Sequence, residues 1–177
     1  PFDGTADAAV ARGRKIPLES KNLEFVPGIS GQALRSTKKA GTILRYALPG
    51  NLLPEQGTIA LWVKPEWNIP PATQGDSMFW HAFLCMERPP VRAGSGTIWF
   101  WSWGNVLRGD TSDRRDSYFT STELLQNGFW QHVAFTWDET DAALFINGRR
   151  MKNTEDGHSP LNYRNRIRTY NRLPINS

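Results

Sequence analysis

The chain has 177 residues, a length that suits one domain of ordinary size with a real hydrophobic core. Hydrophobic residues make up 39% and aromatics 12%, with eight Trp, a composition that folds and that contains no low-complexity tail. The net charge of +4 is unevenly placed: residues 148–177 hold seven Arg or Lys against two acids, and the first 147 residues hold 14 basic and 15 acidic groups, so basicity belongs to the tail and not to the domain as a whole.

Period-2 alternation and short β-rich runs recur along the chain, and helical periodicity is nearly absent. Thr42–Leu48 (TILRYAL) is a predicted strand. Gly57–Val63 (GTIALWV) is a second, with Ile59, Leu61 and Val63 on one face and Ala60 and Trp62 on the other. Both faces are apolar, so this strand is expected to be covered on both sides. Pro65 ends it, because proline has no N–H to donate to a ladder. Ser77–Met86 and Thr97–Trp103 (TIWFWSW) are further strands, and Asn105–Asp110 is a candidate to pair with the latter. The lone cysteine, Cys85, sits in an apolar run and reads as a buried thiol. Tyr118–Ser121 is short and β-like, and Thr122–Gln126 is the one candidate for a helical turn. Phe129–Trp137 gives a strand with Val133, Phe135 and Trp137 on one face. Asp138–Asp141 supplies turn chemistry, Ala143–Ile146 the return strand, and Asn147-Gly148 a further turn.

Many short strands divided by Gly, Pro, Asn and Asp turns predict an all-β sandwich or barrel. No linker divides the chain, so residues 1–177 are read as a single domain. The first residue is Pro and not Met, and the chain is expected to be a processed or excised piece of something longer. No apolar run approaches the roughly 18 residues that a membrane-spanning helix needs.

Three segments together resemble a known family: GISGQALR (28–35), GTIALWVKPEW (57–67) and NGFWQHVAFTWDETDAALFINGRR (127–150) are similar to the laminin-G-like domains of the concanavalin A-like lectin/glucanase superfamily. The opening FDGTADA is similar to the first strand of such domains. The resemblance implies a jelly-roll β-sandwich of two antiparallel sheets, with Trp62, Trp130 and Trp137 in the core and His132 in a structural role. It also implies closing strands beyond the Asn147-Gly148 turn. The tail NYRNRIRTYNRLPINS does not match them, so the expectation is that they are missing or are supplied by another segment or chain. Calcium is common in these sandwiches, held by carboxylates and loop carbonyls, and makes Asp3 and Asp138 candidate metal ligands. The fold itself carries lectins, glycosidases, adhesion modules and accessory domains, so it fixes no single function.

The chemistry-bearing residues narrow the choice. Retaining glucanases need carboxylates about 5–5.5 Å apart, as alternation along one strand provides. The nearest match, Glu139-Thr140-Asp141, falls in a predicted turn and has Ala143 where a third acid would stand. Asp110, Asp113 and Asp116 are interspersed with Arg114 and Arg115, as in a polar loop. His81, His132 and His158 have no zinc-ligand spacing, and no glycine-rich phosphate loop is present. The reading therefore leans away from an enzyme.

Trp99, Trp101 and Trp103 fall at i, i+2 and i+4, so they share one face of a strand at about 6.6–6.8 Å intervals. Indoles so spaced form either a platform for sugar rings or part of a core; Ile98 and Phe100 compete for the core from the other face. Trp67, in a predicted loop, and Arg108 and Tyr118, adjacent in sequence, complete the candidate carbohydrate-binding set. Arg164, Arg166 and Arg168 alternate in the tail and suit sulfate or carboxylate, as in an anionic polysaccharide, or else form a solvated face. No nucleic-acid fold signature accompanies them.

The leading reading is a non-catalytic carbohydrate-binding or accessory module of a secreted, cell-surface or periplasmic protein, with a glycan as partner. The alternatives are a structural adhesion or assembly domain completed by a partner segment, and a polysaccharide hydrolase or lyase.

Overall fold

The computed structural model describes residues 2–36, 42–53, 56–67, 80–87, 96–110, 118–138 and 141–151. These residues contain strands and turns and no helix, as the alternation predicts. The backbone gathers into two units, 1–53 and 54–177.

The first unit holds two antiparallel two-stranded ribbons. In one, β1 (Glu19–Lys21) pairs with β4 (Ile43–Arg45); in the other, β2 (Glu24–Pro27) pairs with β3 (Gln32–Arg35). The latter turns through Gly28–Gly31, closed by a bond from the Gly28 N–H to the Gly31 carbonyl. The strand expected over Thr42–Leu48 is shorter than the sequence suggests, because Tyr46 leaves the ladder and donates its hydroxyl to the Ala6 carbonyl. The first strand expected at FDGTADA is not formed: residues 2–18 are bends and coil, and the Asp3 carboxylate accepts from the Gln32 N–H.

The second unit is a sandwich of two four-stranded antiparallel sheets. One has the order β12-β11-β10-β5: Arg149–Arg150, Ala142–Ile146, Gln131–Trp137 and Gly57–Val63. The other, β6-β7-β8-β9, comprises Trp80–Glu87, Gly96–Trp103, Val106–Asp110 and Tyr118–Leu124. Among the described residues, every buried hydrophobic side chain belongs to this unit. Val133, Phe135 and Trp137 of β10 face inward with Ile59 of β5 and Leu144 and Ile146 of β11. Ile98 and Phe100 of β7 and Leu107 of β8 meet them from the second sheet. The rings of Phe100 and Phe135 stack across the interface at 6.1 Å, and Phe135 stacks in turn on Trp137 at 5.7 Å. Gly109 on β8 lies directly under Phe135, where a Cβ would sit 2.6 Å from the ring. Glycine is the residue that lets the two sheets approach here.

Two turns fix the first sheet. Asp138 and Asp141 close the β10–β11 hairpin: the Asp138 N–H donates to the Asp141 carbonyl, and the Asp141 N–H to Asp138 Oδ1. Asn147 and Gly148 both have positive φ, 50° and 78°, the requirement of a type I′ turn between β11 and β12. Asn147 also ties this turn to β10, accepting from the His132 N–H on its side-chain oxygen and donating its own N–H to the His132 carbonyl.

Two further expectations change. β5 is not covered on both faces: Ala60 is exposed and Trp62 is 48% exposed, edge-to-face with His132 at 5.3 Å, so Trp62 is not a core residue. An antiparallel sheet needs only one buried face, and the apolar outer residues of β5 misled the reading. Where a helical turn is expected over Thr122–Gln126, Thr122–Leu124 are the end of β9 and Leu125 and Gln126 follow it outside any helix. The β8–β9 register shifts there, and buried Ser121 repairs the ladder by accepting from the Leu107 N–H and donating to the Glu123 carbonyl. Trp137, by contrast, is buried as expected, and Cys85 is half-buried and forms no disulfide.

Candidate functional site

The inward position of Ile98, Phe100 and Ser102 decides where the tryptophans go. Successive side chains on a strand point to opposite faces, so Trp99, Trp101 and Trp103 lie on the outer face of the second sheet, all three half-buried. They are neither core nor fully exposed. The indoles of Trp101 and Trp103 stack with centroids 6.4 Å apart and planes inclined by 26°.

The neighbouring strands furnish the row. β8 pairs with β7 so that Val106 opposes Trp103, Arg108 opposes Trp101 and Asp110 opposes Trp99. On the other side, Ala82 opposes Trp101 and Cys85 opposes Trp99, with a bulge at Phe83 between them. The Arg108 guanidinium carbon lies 5.1 Å from the Trp101 centroid and 4.5 Å from that of Trp103, so one cation spans two indole faces. The Trp103 indole N–H is buried and meets no hydrogen-bond acceptor. Expulsion of water from a polar donor costs about 1–3 kcal/mol when nothing replaces it.

Arg108 thus joins the Trp row. Tyr118 opens β9 opposite Asp110, and its side chain lies outside the described residues. Trp67 does not join the row. Its ring stacks on His81 at 3.8 Å and 13°, and its N–H donates to Asn105 Oδ1 at 2.9 Å. His81 opposes Ser102 in the ladder and so belongs to the opposite face of the sheet. Burial holds the His81 imidazole below its ordinary value, its Nε2 has no hydrogen-bond partner, and neither has the fully buried hydroxyl of Ser102. Nothing in the sequence singled out this inner polar pair.

The remaining candidates separate. Asp3 and Asp138 each accept a backbone N–H within their own unit, from Gln32 and Asp141 respectively. Among the described residues, no three His, Cys, Asp or Glu side chains gather as a metal site. Asp141 accepts from Arg150 at 2.7 Å, in keeping with the turn reading of that acidic stretch. Arg164, Arg166 and Arg168 lie outside the described residues, as do Asp113, Asp116 and His158. In the first unit a cavity of about 410 Å³ is lined by Thr5, Asp7, Ser20, Lys21 and Phe25 among others, a feature no motif announced. No described helix is long and apolar enough to cross a membrane.

A family model described as the concanavalin A-like lectin/glucanases superfamily matches residues 44–170, which include all of the second sheet and the Trp row. Neither a curated protein nor a solved structure matches the chain.

Proposed function

The chain belongs to the concanavalin A-like lectin/glucanase superfamily, and from that premise we propose that it is a carbohydrate-binding module whose ligand lies on the outer face of the β6–β9 sheet, along Trp99, Trp101 and Trp103. The observation that carries this reading is the parity of β7. Ile98, Phe100 and Ser102 of that strand face the core, and its three tryptophans are turned away from it. A face turned away from the core does not require three indoles in a row, and a single ring would not span successive sugars. Indole faces attract the C–H-rich faces of pyranose rings, at about 0.5–1.5 kcal/mol per well-stacked ring beyond area burial.

A binding role without catalysis is supported by the acidic residues. The nearest approach to an alternating set, Glu139 to Asp141, falls at the β10–β11 turn, where Asp138 and Asp141 close the hairpin. A module of this kind works where glycan polymers are, outside the cell or at its surface.

Affinity electrophoresis of the full chain through gels containing neutral or acidic polysaccharides tests the proposal. Retardation by at least one polymer is expected, with Trp101→Ala migrating freely while its thermal midpoint stays close to that of the parent. If no polysaccharide retards the parent chain, or if Trp101→Ala is retarded equally, the sheet face is not the binding site.

A further inference from the structure

Resting on the reading that the Trp face binds glycan, we propose that this site selects sugars carrying an anionic substituent, a uronate carboxylate or a sulfate ester, received by Arg108 and the indole N–H of Trp103. Three observations lead to it. First, the guanidinium of Arg108 lies over the indoles of both Trp101 and Trp103, at 5.1 Å and 4.5 Å. A ligand that approaches these two rings therefore meets a fixed cation, and not an uninterrupted aromatic shelf. Second, the Trp103 Nε1–H beside that cation is buried and without an acceptor in the chain. Third, both groups only donate: a guanidinium and an indole N–H have no lone pair to offer a sugar hydroxyl proton. A neutral sugar hydroxyl can satisfy one such donor weakly. A carboxylate or sulfate presents several acceptor oxygens and matches the planar fork of arginine, giving charge-assisted bonds about twice as strong as neutral ones.

Contact with two indoles also restricts the guanidinium before a ligand arrives, so less side-chain freedom is lost on binding. The ladder supports this placement, since Arg108 and Trp101 are direct cross-strand partners in the β7–β8 hairpin. Asp110 is the cross-strand partner of Trp99 at the far end of the row.

The test compares pairs of polymers with the full chain: polygalacturonate against its fully methyl-esterified form, and heparin against a neutral xylan, by affinity electrophoresis or calorimetry at low and moderate salt. The parent chain is expected to bind polygalacturonate, heparin or both at least about tenfold more tightly than the neutral partner, the loss expected for a charge-assisted hydrogen bond. Polygalacturonate alone would identify a carboxylate, and heparin alone a sulfate-bearing polymer. In Arg108→Gln the preference is expected to vanish, with Arg108→Lys retaining part of it because the charge stays and the fork is lost. Thermal midpoints of both variants check that the fold survives, and Arg108→Lys, which keeps the charge and the long stem, carries the comparison where Arg108→Gln does not fold. Equal binding of acidic and neutral polymers overturns this inference and leaves the glycan-binding reading intact. An acidic preference that persists in folded Arg108→Gln also overturns it and moves the anion site elsewhere, the arginine-rich tail first. Failure of every polymer to bind removes both readings.

Discussion

Gly109 is the position where adding one carbon should damage the sandwich most predictably. Its Cβ would lie 2.6 Å from two atoms of the Phe135 ring and 2.9 Å from a third, against about 3.5–4.0 Å for ordinary carbon contact. The ring would have to retreat by about 1 Å. It has nowhere to go: Phe135 is fully buried, stacked on Phe100 at 6.1 Å on one side and on Trp137 at 5.7 Å on the other. Overpacking of a filled core costs about 1–3 kcal/mol. Alanine returns about 0.4–1 kcal/mol by restricting the unfolded chain. The φ of Gly109 is not positive, so backbone strain adds nothing. Gly109→Ala is therefore expected to destabilise by about 1–2 kcal/mol, a five- to thirty-fold shift toward the unfolded state. Urea unfolding followed by tryptophan fluorescence would read it as a lower midpoint at unchanged slope. A second measurement isolates the cause. Phe135→Leu shortens the ring that clashes, so the double variant should cost at least about 0.5 kcal/mol less than the two single losses added, the margin beyond which sites are coupled. Strict additivity, or a Gly109→Ala protein as stable as its parent, would show that the sheets do not meet at this contact.

The β11–β12 turn should respond differently at its two residues. Gly148→Ala meets no atom within 4 Å, so its cost is the positive φ alone, about 1 kcal/mol. Asn147→Ala meets a positive φ as well and also removes the acceptor for the His132 N–H, so it is expected to cost about 1–2 kcal/mol more than Gly148→Ala; equal losses at both sites in urea melts would deny Asn147 its tie to β10. His81 predicts a pH effect. Its folded-state value is depressed by burial, so the unfolded chain binds the extra proton first as pH falls. Stability is fully present above the ordinary value of 6.5 and declines as pH drops from there through the depressed value. His81→Phe keeps a ring beneath Trp67 and removes the titration, so its urea midpoint should fall less between pH 7.5 and pH 5 than the parent's; identical declines would rule out a contribution from His81.

Much of the fold was legible because it depends on local chemistry. The turn at Asn147-Gly148 needs two residues that tolerate positive φ, and Asn-Gly is the strongest such pair. The β10 alternation of Val133, Phe135 and Trp137 survives intact because one face of an antiparallel sheet must be dry. What failed depended on partners distant in sequence. Trp62 and Ala60 look like a second buried face, and no local rule shows that nothing packs over them. The β9 end reads as a helical turn because its Thr-Glu-Leu-Leu composition suits one; the bond from the Leu107 N–H to Ser121, fourteen residues away, holds it extended. Trp67 sits in a proline-flanked segment that promises exposure, yet its ring is claimed by His81 on a strand across a stretch of intervening chain.

The orientation of the Trp row is the instructive case, because the sequence contained it in a form that hydrophobicity alone conceals. Ranked by size, the tryptophans of TIWFWSW compete for the core, and Ser102 counts against the face it shares with Ile98 and Phe100. The next strand reverses that ranking. In VLRGD, Leu107 is the one large apolar residue flanked by alternation, and Arg108 must face away from a core that cannot solvate it. Gly104-Asn105 between the strands is a two-residue turn, which sets Trp103 opposite Val106 and hence Trp101 opposite Arg108 and Ser102 opposite Leu107. Cross-strand partners share a face, so the charge on Arg108 forces Trp101 outward and, by period 2, Trp99 and Trp103 with it. Ser102 is then carried inward as the cost of that register, its hydroxyl buried without a partner beside His81. One cation thus decides which face of β7 is core, and the same cation is what the outward-facing indoles gather around. The stability of the sheet and the chemistry of its outer surface rest on a single register, set by a two-residue turn.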